Sequence, residues 1–280
     1  MEIQIKTQIK TQIQTQTQIK TSQIKKHWIF FLAKIKLSFK TGKEYKANFW
    51  SMIIFDITIL LSYMILFSMI NQLSSDYLDW EYKDFLILFF LNLLMWKFLW
   101  LHNLRNFGVR LLRGELNISR TKPINTYFMT TSNYINSQNI ISGLFLFLII
   151  LFSMFYFNYS NQFLTLILIL FSFLYFVVFF NFFNSIYFFM KSGHFFTELF
   201  FRANSVVKIF SPKVFDKLSI FWIFYLLPTT INGFFVIEML NGRIGDFLFF
   251  LPFILISFVI FIFGIYLMWH YGLKNYEGYG

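Results

Sequence analysis

Cysteine is missing from all 280 positions, which excludes disulfides, thiolate metal centres and cysteine nucleophiles together. Charge is scarce as well. Only 13% of residues are Asp, Glu, Lys or Arg and 57% are hydrophobic, whereas soluble domains carry roughly 25% charged residues. The apolar residues gather in runs of about 20 rather than in the narrower stripes of core-facing helices, so a water-soluble fold is excluded. No G-x-x-x-x-G-K-[ST] phosphate loop and no G-x-G-x-x-G turn is present, so the chain has no recognised cradle for a nucleotide. His27, His102, His194 and His270 lie far apart without metal-ligand spacing, and no nucleophile–base–acid spacing is found. Neither a metal site nor a catalytic residue is expected. The residues before Trp28 lack an apolar core, so no cleavable secretory signal of the usual shape is expected there.

What remains is hydrocarbon and aromatic rings. Continuous apolar runs at about 49–71, 85–104, 139–157, 163–190, 218–237 and 247–269 are each long enough to cross roughly 30 Å of bilayer at 1.5 Å per residue. Lipid leaves backbone polar groups unsatisfied unless they pair within a segment, and the runs do not alternate as barrel strands do. The expectation is an all-α, multi-pass membrane protein with about six spans. Ahead of them, residues 1–27 form a Gln/Ile/Lys/Thr tract too sparse in apolar residues to bury a face, read as a disordered cytoplasmic tail. Trp28, Phe31, Leu32, Ile35 and Phe39 then recur at helical spacing between lysines, as in a helix lying in the membrane interface. Residues 28–280 are read as one membrane domain.

Basic residues crowd one side of these spans. The segment before the first span, the loop holding Arg105, Arg110, Arg113, Arg120 and Lys122, and the loop holding Lys191, Arg202, Lys208, Lys213 and Lys217 all fall there, against Lys83 and Arg243 opposite. The positive-inside rule makes that side, and both termini, cytoplasmic in a cell (cytoplasmic or inner) membrane. The same retention accounts for the net charge of +11, so no nucleic-acid partner is expected.

Four features stand out within this frame. Asp56 and Lys97 are ionisable groups inside the first and second runs; they either pair, or Lys97 snorkels to the headgroups while Asp56 is protonated or meets interfacial water. The loop over 105–138 is long and basic, with Gly114 and Pro123 placed to punctuate a short helix along the membrane. Such a helix suits a soluble partner, or else the loop is held to anionic headgroups. Pro228 falls inside the fifth run, where it kinks or breaks the helix. Asp76, Asp79, Glu81 and Asp84 share one short loop and read as a solvated face, with Glu238 and Asp246 on the same side.

Arg113-Gly114-Glu115-Leu116 followed by Lys122-Pro123 resembles the permease subunits of type-2 ATP-binding-cassette exporters. Phe210-Ser211-Pro212-Lys213-Val214-Phe215, Leu227-Pro228 and Gly272-Leu273-Lys274-Asn275-Tyr276-Glu277 are similar to the same branch, and the resemblance covers about residues 28–280. It implies a dimer of permeases, from two copies or a related second chain, set in membrane lipid above two ATPase subunits that bind ATP and Mg. It further implies that residues 110–125, with Arg110, Arg113, Gly114, Glu115, Leu116, Lys122, Pro123 and Asn125, dock on the ATPase, and that residues 28–40 are an interfacial connecting helix. Two rival readings stay open: a secondary transporter, which usually shows more intramembrane polar groups and paired broken helices, and a membrane enzyme acting on lipid-linked substrates, which needs clustered acids or histidines at one interface.

Overall fold

The computed structural model describes residues 25–42, 44–78, 80–101, 107–122, 124–132, 137–190, 193–207 and 222–276. Residues 1–24, His102, Pro123, Phe210 to Phe215 and Glu277 lie outside the described residues. Among the described residues every regular element is helical, and the chain is an all-α membrane protein. Helix α1 covers 25–42. Five longer helices follow: α2 (Lys46–Leu78), α3 (Tyr82–Leu101), α7 (Ser137–Tyr156), α8 (Gln162–Ser185, continued by a 3₁₀ turn over Ile186–Phe188) and α13 (Gly245–Lys274). Between them lie α4 (Phe107–Leu112), α5 (Glu115–Arg120), α6 (Thr126–Ser132), α9 (Gly193–Val207), α10 (Trp222–Tyr225), α11 (Pro228–Asn232) and α12 (Phe234–Leu240). Three segments, Ser137–Tyr156, Gln162–Phe188 and Gly245–Lys274, are long and apolar enough to cross a membrane.

The long helices alternate in direction, so the connections sort into two ends. One end, here the basic end, holds α1, the 107–132 helices, the close of α8 and the close of α13. The turns after α2, α7 and α12 meet at the other. Helix α8 is central and packs against α13, α11, α12, α9 and α3. Lipid gives apolar helices no hydrophobic reason to associate, so packing geometry and polar locks must hold them together. Buried phenylalanines of the core serve the first purpose. Tyr175 stacks on Phe258 at 6.1 Å between α8 and α13, and Phe183 meets Phe200 of α9 with centroids 3.9 Å apart. Aromatic pairs with centroids about 4.5–7 Å apart, as for Tyr175 and Phe258, add about 0.5–1.5 kcal/mol each beyond area burial.

Asp84 and Glu238 at the turns opposite the basic end are polar locks rather than parts of a solvated face, which corrects the reading of the acidic loop at Asp84, while Glu81 and Asp246 are exposed as that reading has them. Asp84 is 1% exposed and accepts hydrogen bonds from the Tyr159 hydroxyl (2.6 Å), Asn241 Nδ2 (3.1 Å) and the Glu81 amide (2.9 Å). Glu238, equally buried, accepts from Trp80 Nε1 at 2.8 Å and pairs with Arg243 at 3.0 Å. A buried carboxylate is tolerated only when such partners surround it. Three chain turns are joined through these two acids, and burial with the adjacent Asp84 carboxylate raises the Tyr159 pKa well above its ordinary value.

The fifth apolar run takes the broken rather than the kinked form of the two expected at Pro228, and its described part is three short helices, α10 to α12. Leu227 is extended (φ −72°, ψ 140°) and Pro228, with no N–H to offer, starts α11. Gly233 breaks the chain again, where a Cβ would meet the Leu88 side chain at 2.6 Å and the Thr229 carbonyl at 2.8 Å.

Candidate functional site

At the basic end the 107–132 segment folds into a small helical unit clamped to two membrane helices. Helix α4 closes on a turn in which Gly114 takes a left-handed conformation (φ 76°, ψ 6°), suited to a residue without Cβ. That turn redirects the chain into α5, and Leu111 and Leu116 then point inward onto Tyr187 and Trp269. The Tyr276 hydroxyl donates to the Leu111 carbonyl at 2.9 Å, Trp269 Nε1 donates to Ser185 Oγ at 3.1 Å, and Tyr127 meets Trp269 edge-on at 4.9 Å. Close backbone approach completes the clamp. A Cβ at Gly108 would fall within the Tyr187 ring, and one at Gly272 would overlap the base of the Phe188 side chain. Arg110 is buried within the unit, and Glu115 is partly covered.

The opposite side of the unit is open. Arg113, Asn117, Arg120, Thr121, Lys122 and Asn125 are exposed, and Ile118 is an apolar side chain 63% exposed among them. The residues singled out in the sequence therefore split into two roles: Leu116 anchors the loop, while Arg113, Lys122 and Asn125 face outward. Ile118 carried no signal in the sequence, where an isoleucine in a loop reads as ordinary. Helix α1 braces the unit from the side. The Asn125 amide donates to His27 Nε2 at 3.2 Å, Asn125 Oδ1 caps α6 by accepting the Phe128 amide at 3.2 Å, and the Ser137 amide donates to Ser38 Oγ at 2.6 Å. Burial and then the nearby Lys122 ammonium hold the Lys34 pKa below the ordinary lysine value.

Within the helices, the structure brings Asp56 and Lys97 together. Lys97 Nζ donates to both Asp56 oxygens at 2.6 Å, with the side chains 16% and 28% exposed respectively. Ser142 Oγ of α7 adds a third group, donating to Asp56 Oδ2 at 3.2 Å. The cluster joins α2, α3 and α7 and borders an otherwise apolar cavity of about 310 Å³ with Ile53, Leu60, Leu93 and Phe145. Its donors and acceptor satisfy one another, so the arrangement can hold three helices in register.

Pro228 lies beside a second polar set. Tyr175 of α8 donates to the Leu226 carbonyl at 2.9 Å, and Asn204 Oδ1 of α9 accepts from the Thr229 amide (3.3 Å) and hydroxyl (3.0 Å). Asn232 accepts from Ser172 Oγ at 2.8 Å and donates to the Leu91 carbonyl at 3.0 Å. Side chains of α8 and α9 thus supply partners for the backbone of a broken helix in an apolar setting, and the Leu91 carbonyl of α3 takes the Asn232 side chain. No group of three or more His, Asp or Glu that could hold a metal ion occurs among the described residues.

A family model described as ABC-2 family transporter protein matches residues 53–280. No curated protein and no solved structure matches the chain.

Proposed function

The chain belongs to the ABC-2 family of transporter proteins and is a permease component of an ABC transporter; from that premise we propose that it works as an exporter, driven by a separate ATPase subunit that docks on the 107–132 unit. One observation carries this reading: the unit is clamped through Leu111, Leu116 and Tyr276 to the ends of α8 and α13, while Arg113 and Ile118 remain open. A load applied to the open side reaches the ends of two long apolar helices through the contacts of Leu111 and Leu116 with Tyr187, Trp269 and Tyr276. ATP and Mg belong to the partner, because no nucleotide cradle occurs in this sequence. In this reading the spans number six, both termini are cytoplasmic, and two permeases meet in the cell membrane. Residues 28–280 are its transmembrane domain, with α1 as the interfacial brace.

ATP binding and hydrolysis on the partner would bias an inward-open and an outward-open arrangement. Moving such an equilibrium from 1:99 to 99:1 needs about 5.5 kcal/mol of differential binding. A unit whose Gly114 turn no longer seated Leu111 and Leu116 on Tyr187 and Trp269 would dissipate that work.

The test is to purify the tagged chain in mild detergent, identify what accompanies it by mass spectrometry and assay ATP hydrolysis. A stoichiometric partner carrying a phosphate loop, lost when Arg113 to Leu116 are altered, is expected. A stable preparation without such a partner, even after crosslinking in intact cells, would overturn the reading in favour of a secondary transporter or an enzyme acting on lipid-linked substrates.

A further inference from the structure

Between the α5–α6 turn and the last turns of α13 lies a cleft of about 730 Å³, within the roughly 300–1,000 Å³ usual for small-ligand sites. Its chemistry changes along its length. Arg120 and Lys122 of the loop and His270 of α13 supply cationic or titratable nitrogen at the basic end. Val178 of α8 with Ile262 and Ile265 of α13 give an apolar wall farther along the helices. Tyr266 and Trp269 lie between, and from Ile262 to Leu273 the α13 wall runs about 16 Å at 1.5 Å per residue.

No carboxylate lines the cleft. Arg120 and Lys122 are exposed, and the influence of Lys122 on Lys34 shows that positive charge accumulates around this rim. The apolar wall opens sideways: Ile262 is 46% and Tyr266 64% exposed on the flank of a helix long and apolar enough to cross a membrane. A small aqueous anion would use the cations and leave the wall idle. A purely apolar ligand would do the reverse. An amphiphile with a phosphate at one end and hydrocarbon at the other uses both, with its charge at the headgroup level where basic side chains attract anionic lipid.

We propose that this cleft binds one anionic phospholipid, its phosphate held by Arg120 and Lys122 and its acyl chain lying along Val178, Ile262 and Ile265. The lipid then bridges the 107–132 unit and α13, so the composition of the facing leaflet bears on how firmly the unit is seated. The proposal rests on the membrane setting and not on the identity of a partner ATPase, and lipid retention is measured separately from partner capture.

The full chain in mild detergent is mixed with equal amounts of phosphatidylglycerol and phosphatidylcholine and examined by native mass spectrometry. Wild type should retain phosphatidylglycerol preferentially, and Arg120→Gln with Lys122→Gln should lower that preference by roughly twenty-five-fold, since each basic side chain near an anionic surface contributes about a factor of five. Arg120→Lys with Lys122→Arg keeps the charge and should keep the preference. Lys40→Gln with Lys46→Gln removes two exposed charges that do not line the cleft and should also keep it. Equal retention of both lipids by wild type, or a preference that survives the double glutamine change, would overturn the proposal. Displacement of the lipid by millimolar glycerol phosphate or inorganic phosphate would do so as well, because it would make the site one for a free phosphate.

Discussion

The Asp56–Lys97 pair shows at single-residue scale what the bilayer demands of charge. An ionised side chain left alone at the centre of a helix in hydrocarbon costs about 2.5–3.5 kcal/mol. Asp56→Lys or Lys97→Asp alone should therefore lower the yield of inserted, detergent-stable protein by a large factor, and the double exchange should recover most of it. Equal yields from single and double variants would show that the 2.6 Å contact contributes nothing. The two members of the pair were legible in the sequence because ionisable residues are conspicuous in apolar runs. Ser142 was not, since a lone serine in α7 acquires meaning only when packing sets it 3.2 Å from Asp56. Asp84 was misread for a related reason. Four acids in a short loop look hydrated, and what buries this one are donors from two distant turns, Tyr159 and Asn241.

At the scale of elements, the seating of α13 against the 3₁₀ turn after α8 depends on Gly272, where any Cβ overlaps Phe188. Gly272→Ala should lower the melting temperature in detergent and loosen the 107–132 unit, read as faster proteolysis within that segment; Gly245→Ala, where nothing lies within 4 Å, should leave both unchanged. The broken fifth segment depends instead on its polar locks. Asn232→Leu removes the bonds to Ser172 and Leu91 and should destabilise by about 1–3 kcal/mol, measured by thermal or denaturant unfolding in mixed micelles. Hydropathy placed the straight helices closely, as with 139–157 against Ser137–Tyr156 and 247–269 against Gly245–Lys274. It did not reveal α10 to α12, because composition records apolar side chains and not where backbone groups find partners. Pro228 marked the first break; the second lies at Gly233, pressed by Leu88 and Thr229, and the sequence alone gives no sign of that pressure. Helix α9 was likewise hidden inside a basic loop, although it lies against α8 through Phe200 and against α3 through the Trp96–Phe201 contact at 4.6 Å.

For the whole molecule, the ABC-2 membership and the two-sided 107–132 unit make a single account: long apolar helices at one face of the unit, an open surface at the other. The resemblance was legible in Arg113 to Leu116 and Lys122-Pro123, but their division into anchor and outward-facing residues needed the seat formed by Tyr187, Trp269 and Tyr276. Broad apolar surface on α7 and α13, including Phe152, Phe155, Val259 and Phe263, is exposed and available to lipid or to a second permease. The central claim is that the open face of the unit meets an ATPase, and a photo-crosslinking amino acid at Ile118 in intact cells tests it most directly. Illumination should capture a protein carrying a phosphate loop from position 118, with none from a matched probe at Phe152 on the exposed flank of α7. Capture of lipid alone at 118, or the same proteins from both positions, would contradict the account.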